Sequence, residues 1–280
     1  MKSKRRTIGI IIWILLIVAL LVVSVMLNGS YVRHEDIKEV MRDAVLHETG
    51  RINLFGIKAV NPSLISAFTV TAVLLVFAAI VRIFVIPRFK MVPGKFQMLL
   101  EQWVGLFDGL AKSNSPHRNG FLGVYLFGAG TFVFVGTFFE LFGLQAITTQ
   151  GHSIALPAPL ADINGAVALG CLSYLIILSG GIAGNKLKGV GLTLKDFSLP
   201  ISMSFRLFGA LLSGLLVTEL VYFYIHLSFV LPVIVGVLFT LLHALIQTYV
   251  LTMLTALFYG EVSEPHEPKH KKEKSLKQLA

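Results

Sequence analysis

The stretch that decides the fold is SLPISMSFRLFGALLSGLLVTELVYFYIHLSFVLPVIVGVLFTLLHALIQTYVLTMLTALFYG, residues 198–260. It is almost continuously apolar, with a short turn expected at residues 225–230. Its two halves, about Pro200–Tyr224 and Phe229–Tyr259, each exceed the roughly 20 residues that a helix needs to cross a bilayer. We therefore predict two long transmembrane helices, which must tilt or lie partly along the membrane.

The rest of the chain has the same character. Of its 280 residues, 55% are hydrophobic and only 14% are charged, and the mean hydropathy is +0.78. A soluble domain averages about 25% charged residues, so composition excludes an independent soluble enzyme. Four more segments approach the length of a spanning helix: about Ile8–Leu27, Leu64–Ile86, Phe121–Leu144 and Ile163–Ile182. We predict an all-α membrane protein with about six apolar helices.

The basic residues indicate the orientation of these helices. The net charge of +9 is concentrated in short runs next to apolar segments, at residues 2–6, 87–95, 184–189 and 269–277. Lys and Arg are retained on the cytoplasmic side of a membrane, and one six-span topology places all four runs there, with the C-terminus cytoplasmic. No basic patch interleaved with aromatic residues suggests nucleic-acid binding, and no Gly-rich phosphate loop suggests direct nucleotide binding.

These patterns divide the chain into four parts. Residues 1–28 read as a signal anchor or a cleaved signal peptide, and residues 29–62 as an extracytoplasmic segment. Residues 63–260 form the membrane domain, and residues 261–280 form a charged cytoplasmic tail. Apolar residues recur at helical spacing over 96–112, which predicts an amphipathic helix at the cytoplasmic interface.

Arg206 is the most informative polar residue. A charge at bilayer depth costs a few kcal/mol on insertion scales, so such residues usually line a pathway or pair with one another. A guanidinium cannot deprotonate in a protein, so Arg206 can supply a fixed positive potential but cannot relay a proton. The alternative is an anchor that snorkels to the interface, because Arg206 is only six residues past Pro200. Small neighbours favour a functional role because they allow another helix to approach: Gly209, Ala210, Ser213 and Gly214.

Other polar residues accompany Arg206. Glu219 lies thirteen residues further along the same segment, about 20 Å at 1.5 Å per residue, and its carboxylate could bind and release protons. Thr240, His243 and Gln247 recur at helical spacing on the last segment and are expected to share one face. Glu140 lies near the outer end of the third segment, where a cap or an interfacial position explains it equally well.

Three stretches resemble subunit a of the F-type ATP synthase, the stator half of its proton channel. They are SLPISMSFRLFGALLSG at 198–214, ALIQTYVLTMLTALFYG at 244–260 and VPGKFQMLLE at 92–101. Weaker similarity comes from ELFGL at 140–144 and ADIN at 161–164. The resemblance covers about residues 50–260 in order and spacing.

The resemblance implies specific roles and partners. Arg206 matches the arginine that faces the carboxylates of the rotating c-ring, and Gln247 matches the glutamine that packs near it. The last two helices would tilt along the c-ring, with two aqueous half-channels on either side of Arg206. The implied partners are the c-ring, the peripheral stalk subunit b and membrane lipid, in the bacterial cytoplasmic (inner) membrane, with no cofactor or metal. Candidates for lining the channel are Ser213, Thr240, Glu140, Asp162 and Asn164.

The sequence departs from the family pattern near Arg206. Ala210 stands where the family usually has Asn, and Leu215 where bacterial members often carry a carboxylate. Thr240 stands where a titratable residue is common. We therefore infer that Glu219 and His243 supply these groups about one turn away. The predicted function is ion translocation, most simply of protons; sodium coupling, a secondary transporter and a structural membrane protein are the alternatives.

Overall fold

The computed structural model describes residues 11–19, 22, 37–46, 51–54, 57–147, 151, 153–223 and 231–265. Helix α1 includes residues 11–19. The other α-helices are α2 (Ile37–Leu46), α3 (Pro62–Ile80), α4 (Lys95–Asn114), α5 (Asn119–Phe139), α6 (Ile163–Asn185), α7 (Leu187–Lys195), α8 (Ser198–Phe223) and α9 (Leu231–Ser263). The strands form two antiparallel hairpins, β1 (Ile52–Leu54) with β2 (Ile57–Val60) and β3 (Gln145–Ile147) with β4 (Ser153–Ala155).

Five helical segments in the described part of the chain are long and apolar enough to cross a membrane. They are Pro62–Arg88, Asn119–Phe142, Ile163–Asn185, Ser198–Thr218 and Ile234–Ser263. They correspond to the second through sixth predicted segments, so the chain is a multi-pass membrane protein. Half of the first predicted segment, Ile8–Leu27, lies outside the described residues, and this first span stays a prediction.

The connections between the spans contain more structure than the sequence analysis predicted. The amphipathic helix expected over 96–112 is confirmed as α4. The short helix α7 and the two hairpins were not expected. Their strands have only three or four residues, too few for alternation of polar and apolar residues to distinguish a strand from a loop.

Two side chains fix the beginnings of α3 and α6 relative to each other. Asn61 caps α3 by accepting a hydrogen bond from the Ser63 amide, and Pro62 occupies the first turn, where its missing N–H costs nothing. Asp162 caps α6 by accepting from the amides of Asn164 and Gly165. The Asn61 amide also donates to the Asp162 carboxylate at 3.1 Å. Such a cap stabilises a helix by about 1 kcal/mol. The hydrogen bond between Asn61 and Asp162 also joins the starts of α3 and α6 at one end of the molecule.

Helix α9 lies at the centre of the bundle and contacts α4, α5, α6 and α8. Its close contact with α6 depends on Gly180, because any Cβ at that position would collide with the Tyr259 ring. By contrast, α3 lies at the periphery, where only 11% of its apolar window is buried. The core therefore surrounds α9, while α3 presents its apolar surface outward.

Candidate functional site

Arg206 on α8 and Gln247 on α9 line the same small pocket, although 41 positions separate them in the sequence. The other lining residues are aliphatic: Met203, Leu207, Val250, Leu251 and Leu254. The structure thus brings Arg206 and Gln247, which the sequence analysis expected to act together, to the same place across the contact between α8 and α9.

Arg206 faces outward from the bundle. Met203 and Leu207 on the same helix are 2% exposed and hold α8 against the core, whereas Arg206 itself is exposed. The surface beside it is open, since a Cβ added at Gly209 would meet no atom within 4 Å. In the described part of the chain Arg206 forms no salt bridge. The Arg206 side chain therefore lies on an accessible helix face, about 12 Å along the helix from Ser198 at 1.5 Å per residue.

Gln247 faces inward. It is only 5% exposed, and its Oε1 atom is buried with no hydrogen-bond partner among the described residues. An unsatisfied buried acceptor costs roughly 1–3 kcal/mol. A partner that enters this pocket and donates a hydrogen bond, whether a water molecule or a protonated carboxyl group, would remove that cost.

A second, more polar cavity lies between α5, α8 and α9. Its lining residues are Thr137, Glu140, Leu211, Gly214, Thr218, Phe239, Thr240 and His243. The enclosed space is large enough for about one water molecule. A carboxylate, an imidazole and three hydroxyl groups therefore surround one small, hydratable space.

Local backbone geometry positions the carboxylate of this cavity. Helix α5 ends at Phe139 and continues as a single 3₁₀ turn, Glu140–Phe142. Gly143 terminates that turn with φ of 56°, a left-handed conformation that favours glycine. Its amide donates to the Glu140 carbonyl at 3.2 Å. The chain therefore leaves the helix direction within one turn after Glu140, which is half-buried.

The imidazole of His243 is positioned by Phe239 on its own helix and by Gly214 on α8. The rings of His243 and Phe239 lie one turn apart on α9, with centroids 5.7 Å apart and an interplanar angle of 51°. On α8, a Cβ added at Gly214 would lie 3.4 Å from His243 Nδ1. The missing side chain at Gly214 therefore leaves room for the imidazole between the two helices.

The two cavities are neighbours along the same pair of helices. His243 and Thr240 precede Gln247 by four and seven residues, about 6 and 10 Å along α9. The sequence analysis expected these three residues on one face. Along that face of α9 they lie at two levels, with Gln247 beside Arg206 and the other two in the polar cavity.

The remaining predicted site residues lie outside the two cavities or outside the described residues. Ser213 is exposed and donates to the Ala210 carbonyl of its own helix. Asp162 caps α6 and Asn164 lies in its first turn, and neither lines the two cavities described above. Glu219 belongs to α8, but its side chain lies outside the described residues.

Sequence reasoning did not single out two of the hydroxyl groups in the polar cavity. Thr218 follows Gly214 by one turn on α8, and Thr137 precedes Glu140 by three residues at the end of α5. The signal that could have identified both threonines is helical spacing: Thr218 is four residues from Gly214, and Thr137 is three residues from Glu140.

The sequence was also compared with known protein families. The model of a family described as ATP synthase A chain matches residues 64–260, well over half of the chain. The match begins in the first turn of α3 and ends in the last turn of α9. It includes every residue that lines the two cavities.

Proposed function

Because the chain belongs to the ATP synthase A chain family, the ion-translocating stators of F-type ATP synthases, we propose that it couples the enzyme to a flow of protons. It is a transport subunit and is not catalytic alone. By family membership its partners are the c-ring and subunit b. We place it in the bacterial cytoplasmic membrane with its C-terminus cytoplasmic, because every strongly basic run then lies inside.

The polar cavity serves as the proton entry site in this proposal. Glu140 and His243 are the groups around it that can accept and release a proton, and Thr137, Thr218 and Thr240 can hold water between them. Glu219 stays a candidate for the same path because it follows Thr218 directly on α8. From this cavity a proton would reach a c-ring carboxylate facing the exposed side of α8.

Arg206 acts as a fixed cation in this mechanism. It favours the ionised form of a c-ring carboxylate that comes opposite to it, and so promotes release of the proton on the far side. At an effective dielectric constant of about 20, opposite charges 4 Å apart attract by about 4 kcal/mol. That attraction biases ionisation but still allows the ring to move on. Because Arg206 does not itself deprotonate, it also blocks direct passage of protons between the two sides.

The observation that carries the proposal is the arrangement along α8 and α9. An exposed cation and a buried amide share one pocket, and a cavity with two titratable groups lies one to two turns away. A snorkelling anchor would account for Arg206 alone. It would not account for Gln247, whose buried Oε1 atom lacks a partner in the same pocket.

The test is Arg206→Ala in the assembled enzyme, in sealed vesicles with nominally sodium-free buffer. ATP-driven acidification of the vesicles should be abolished. The control is Arg82→Ala, at an exposed arginine in the π-helical turn Val81–Val85 that directly follows α3, and it should leave acidification unchanged. Normal acidification by Arg206→Ala would overturn the role of the cation. Acidification of the unmodified enzyme that requires added sodium would overturn the proton as the coupling ion.

A further inference from the structure

The loop between α3 and α4 exposes an apolar tip flanked by cations. Met91 at the tip is fully exposed and Val92 is 84% exposed. Arg88, Lys90 and Lys95 flank them, and all three are exposed. This combination is unusual for a water-facing loop, where nothing favours two adjacent aliphatic side chains pointing away from the protein.

The tip is held in a defined conformation. The Gln97 side chain accepts a hydrogen bond from the Lys90 amide and donates one to the Lys90 carbonyl, both at 3.0 Å. These two bonds close the loop at its base. Pro93 restricts the backbone within the loop. The aliphatic side chains are therefore presented by a closed loop rather than by a random segment.

The apolar surface of α3 leads directly to this tip. The inner end of the span exposes Ile83, Phe84 and Ile86, and Phe89 and Phe96 lie on either side of the tip, both partly exposed. Aromatic side chains are enriched at the level of lipid headgroups. A lipid-facing helix, two aromatic side chains and an aliphatic tip thus form one continuous surface.

The cations of the loop have no acidic partner in the described part of the chain. Arg88, Lys90 and Lys95 form no salt bridge there, and no Asp or Glu occurs in the sequence between Glu48 and Glu101. Glu101 itself accepts a hydrogen bond from Gln97 at 2.7 Å. Positive charge beside an inserted apolar tip is complementary to anionic lipid headgroups.

We propose that residues 88–95 insert Met91 and Val92 into the membrane leaflet at this end of α3 and bind anionic phospholipid headgroups through Arg88, Lys90 and Lys95. This contact anchors the start of α4 at the membrane surface. It is independent of the ion path, because none of its residues lines either cavity.

The experiment measures how deeply the tip is immersed. A nitroxide is attached at Val92→Cys in an assembled ATP synthase in which Cys171 and all other cysteines are replaced, and the enzyme is reconstituted into phosphatidylcholine vesicles with increasing phosphatidylglycerol. We expect the label to be accessible to oxygen, protected from a water-soluble nickel chelate, and deeper as phosphatidylglycerol increases. A control label at Ile147→Cys, 72% exposed on a hairpin without Lys or Arg, should not respond to phosphatidylglycerol.

Charge removal tests the headgroup contact separately. In Lys90→Gln and in Lys95→Gln, the phosphatidylglycerol fraction needed for half of the depth change should rise roughly fivefold for each charge removed. Acidification by these variants should be normal, which separates this proposal from the one on proton transport. A label at position 92 that the nickel chelate reaches in all lipids would overturn the proposal, as would one shielded from both reagents by another subunit.

Discussion

The two cavities along α8 and α9 differ in what they can do chemically. The pocket of Arg206 and Gln247 is otherwise aliphatic, lies between two helices and opens on an exposed helix face. The polar cavity lies between three helices and contains Glu140 and His243, which can exchange protons. One site thus holds a charge that does not change, and the other holds groups whose charge can change. In the proposed function, this separation lets the fixed cation act on a ring carboxylate without taking part in proton transfer.

In the proposed function, Glu140 offers a source for the carboxylate that Leu215 lacks, alongside Glu219, the residue that the sequence analysis expected to supply it. Leu215 occupies the position on α8 at which bacterial members often carry one, whereas Glu140 reaches the same region from the end of α5. Gly214, directly before Leu215, lines the cavity together with Glu140. The proton-exchanging group can therefore come from a different helix and still serve the same space.

The largest effect on the polar cavity is expected from Glu140→Gln, which keeps the shape of the side chain but removes its ability to ionise. The initial rate of ATP-driven acidification should fall roughly tenfold, equivalent to about 1.4 kcal/mol of activation free energy. Adding Leu215→Glu should restore much of the rate by placing a carboxylate beside the same cavity. An unchanged rate in the single variant would assign proton entry to another group, with Glu219 the first to test.

A smaller effect is expected from Gly214→Val, which acts through the shape of the cavity. Because a Cβ at this position already lies 3.4 Å from His243 Nδ1, the added methyl groups should displace the imidazole and slow acidification roughly threefold, about 0.7 kcal/mol. Gly128→Val on α5 is the control, since a Cβ there meets no atom within 4 Å.

A double-variant cycle tests whether Gly214 acts through His243. Residues in contact give non-additive effects, so Gly214→Val combined with His243→Ala should be no slower than His243→Ala alone. Additive losses would show that the valine disturbs the α8–α9 contact rather than the imidazole.

The long helices could be predicted from sequence because each property they require is local. An apolar run of sufficient length predicts a span, and the spacing of apolar residues such as Trp103 and Phe107 predicts the amphipathic helix α4. In the structure these two rings meet edge to face at 5.3 Å, and Phe107 is fully buried. The hairpins depended on contacts that the sequence does not reveal. Ile52 of β1, for example, packs in a cluster with Val70, Phe139 and Leu156, which come from three other segments.

The candidate site was predictable only in part, for the same reason. Arg206 and Gln247 were paired through the family resemblance, because spacing alone cannot relate two residues on different helices. Asp162 was expected near the channel, but its carboxylate binds two amides of α6 and the side chain of Asn61. Glu140 could not be distinguished from an interfacial residue until α8 and α9 were placed beside the end of α5.

The smallest predicted effect concerns a single hydroxyl group and tests whether polarity as well as shape matters in the cavity. Thr240→Val removes the hydroxyl from a buried residue that lines the cavity, leaving the branched shape of the side chain. The acidification rate should fall about twofold, or about 0.4 kcal/mol, because one group that can hold water beside Glu140 and His243 is lost. The matched control is Thr255→Val on the same helix. Thr255 is also buried, but its hydroxyl donates to the Leu251 carbonyl at 2.8 Å and lines neither cavity. Equal losses in both variants would mean that the threonines of α9 act by supporting the helix, and that the entry path depends on Glu140 and His243 without help from Thr240.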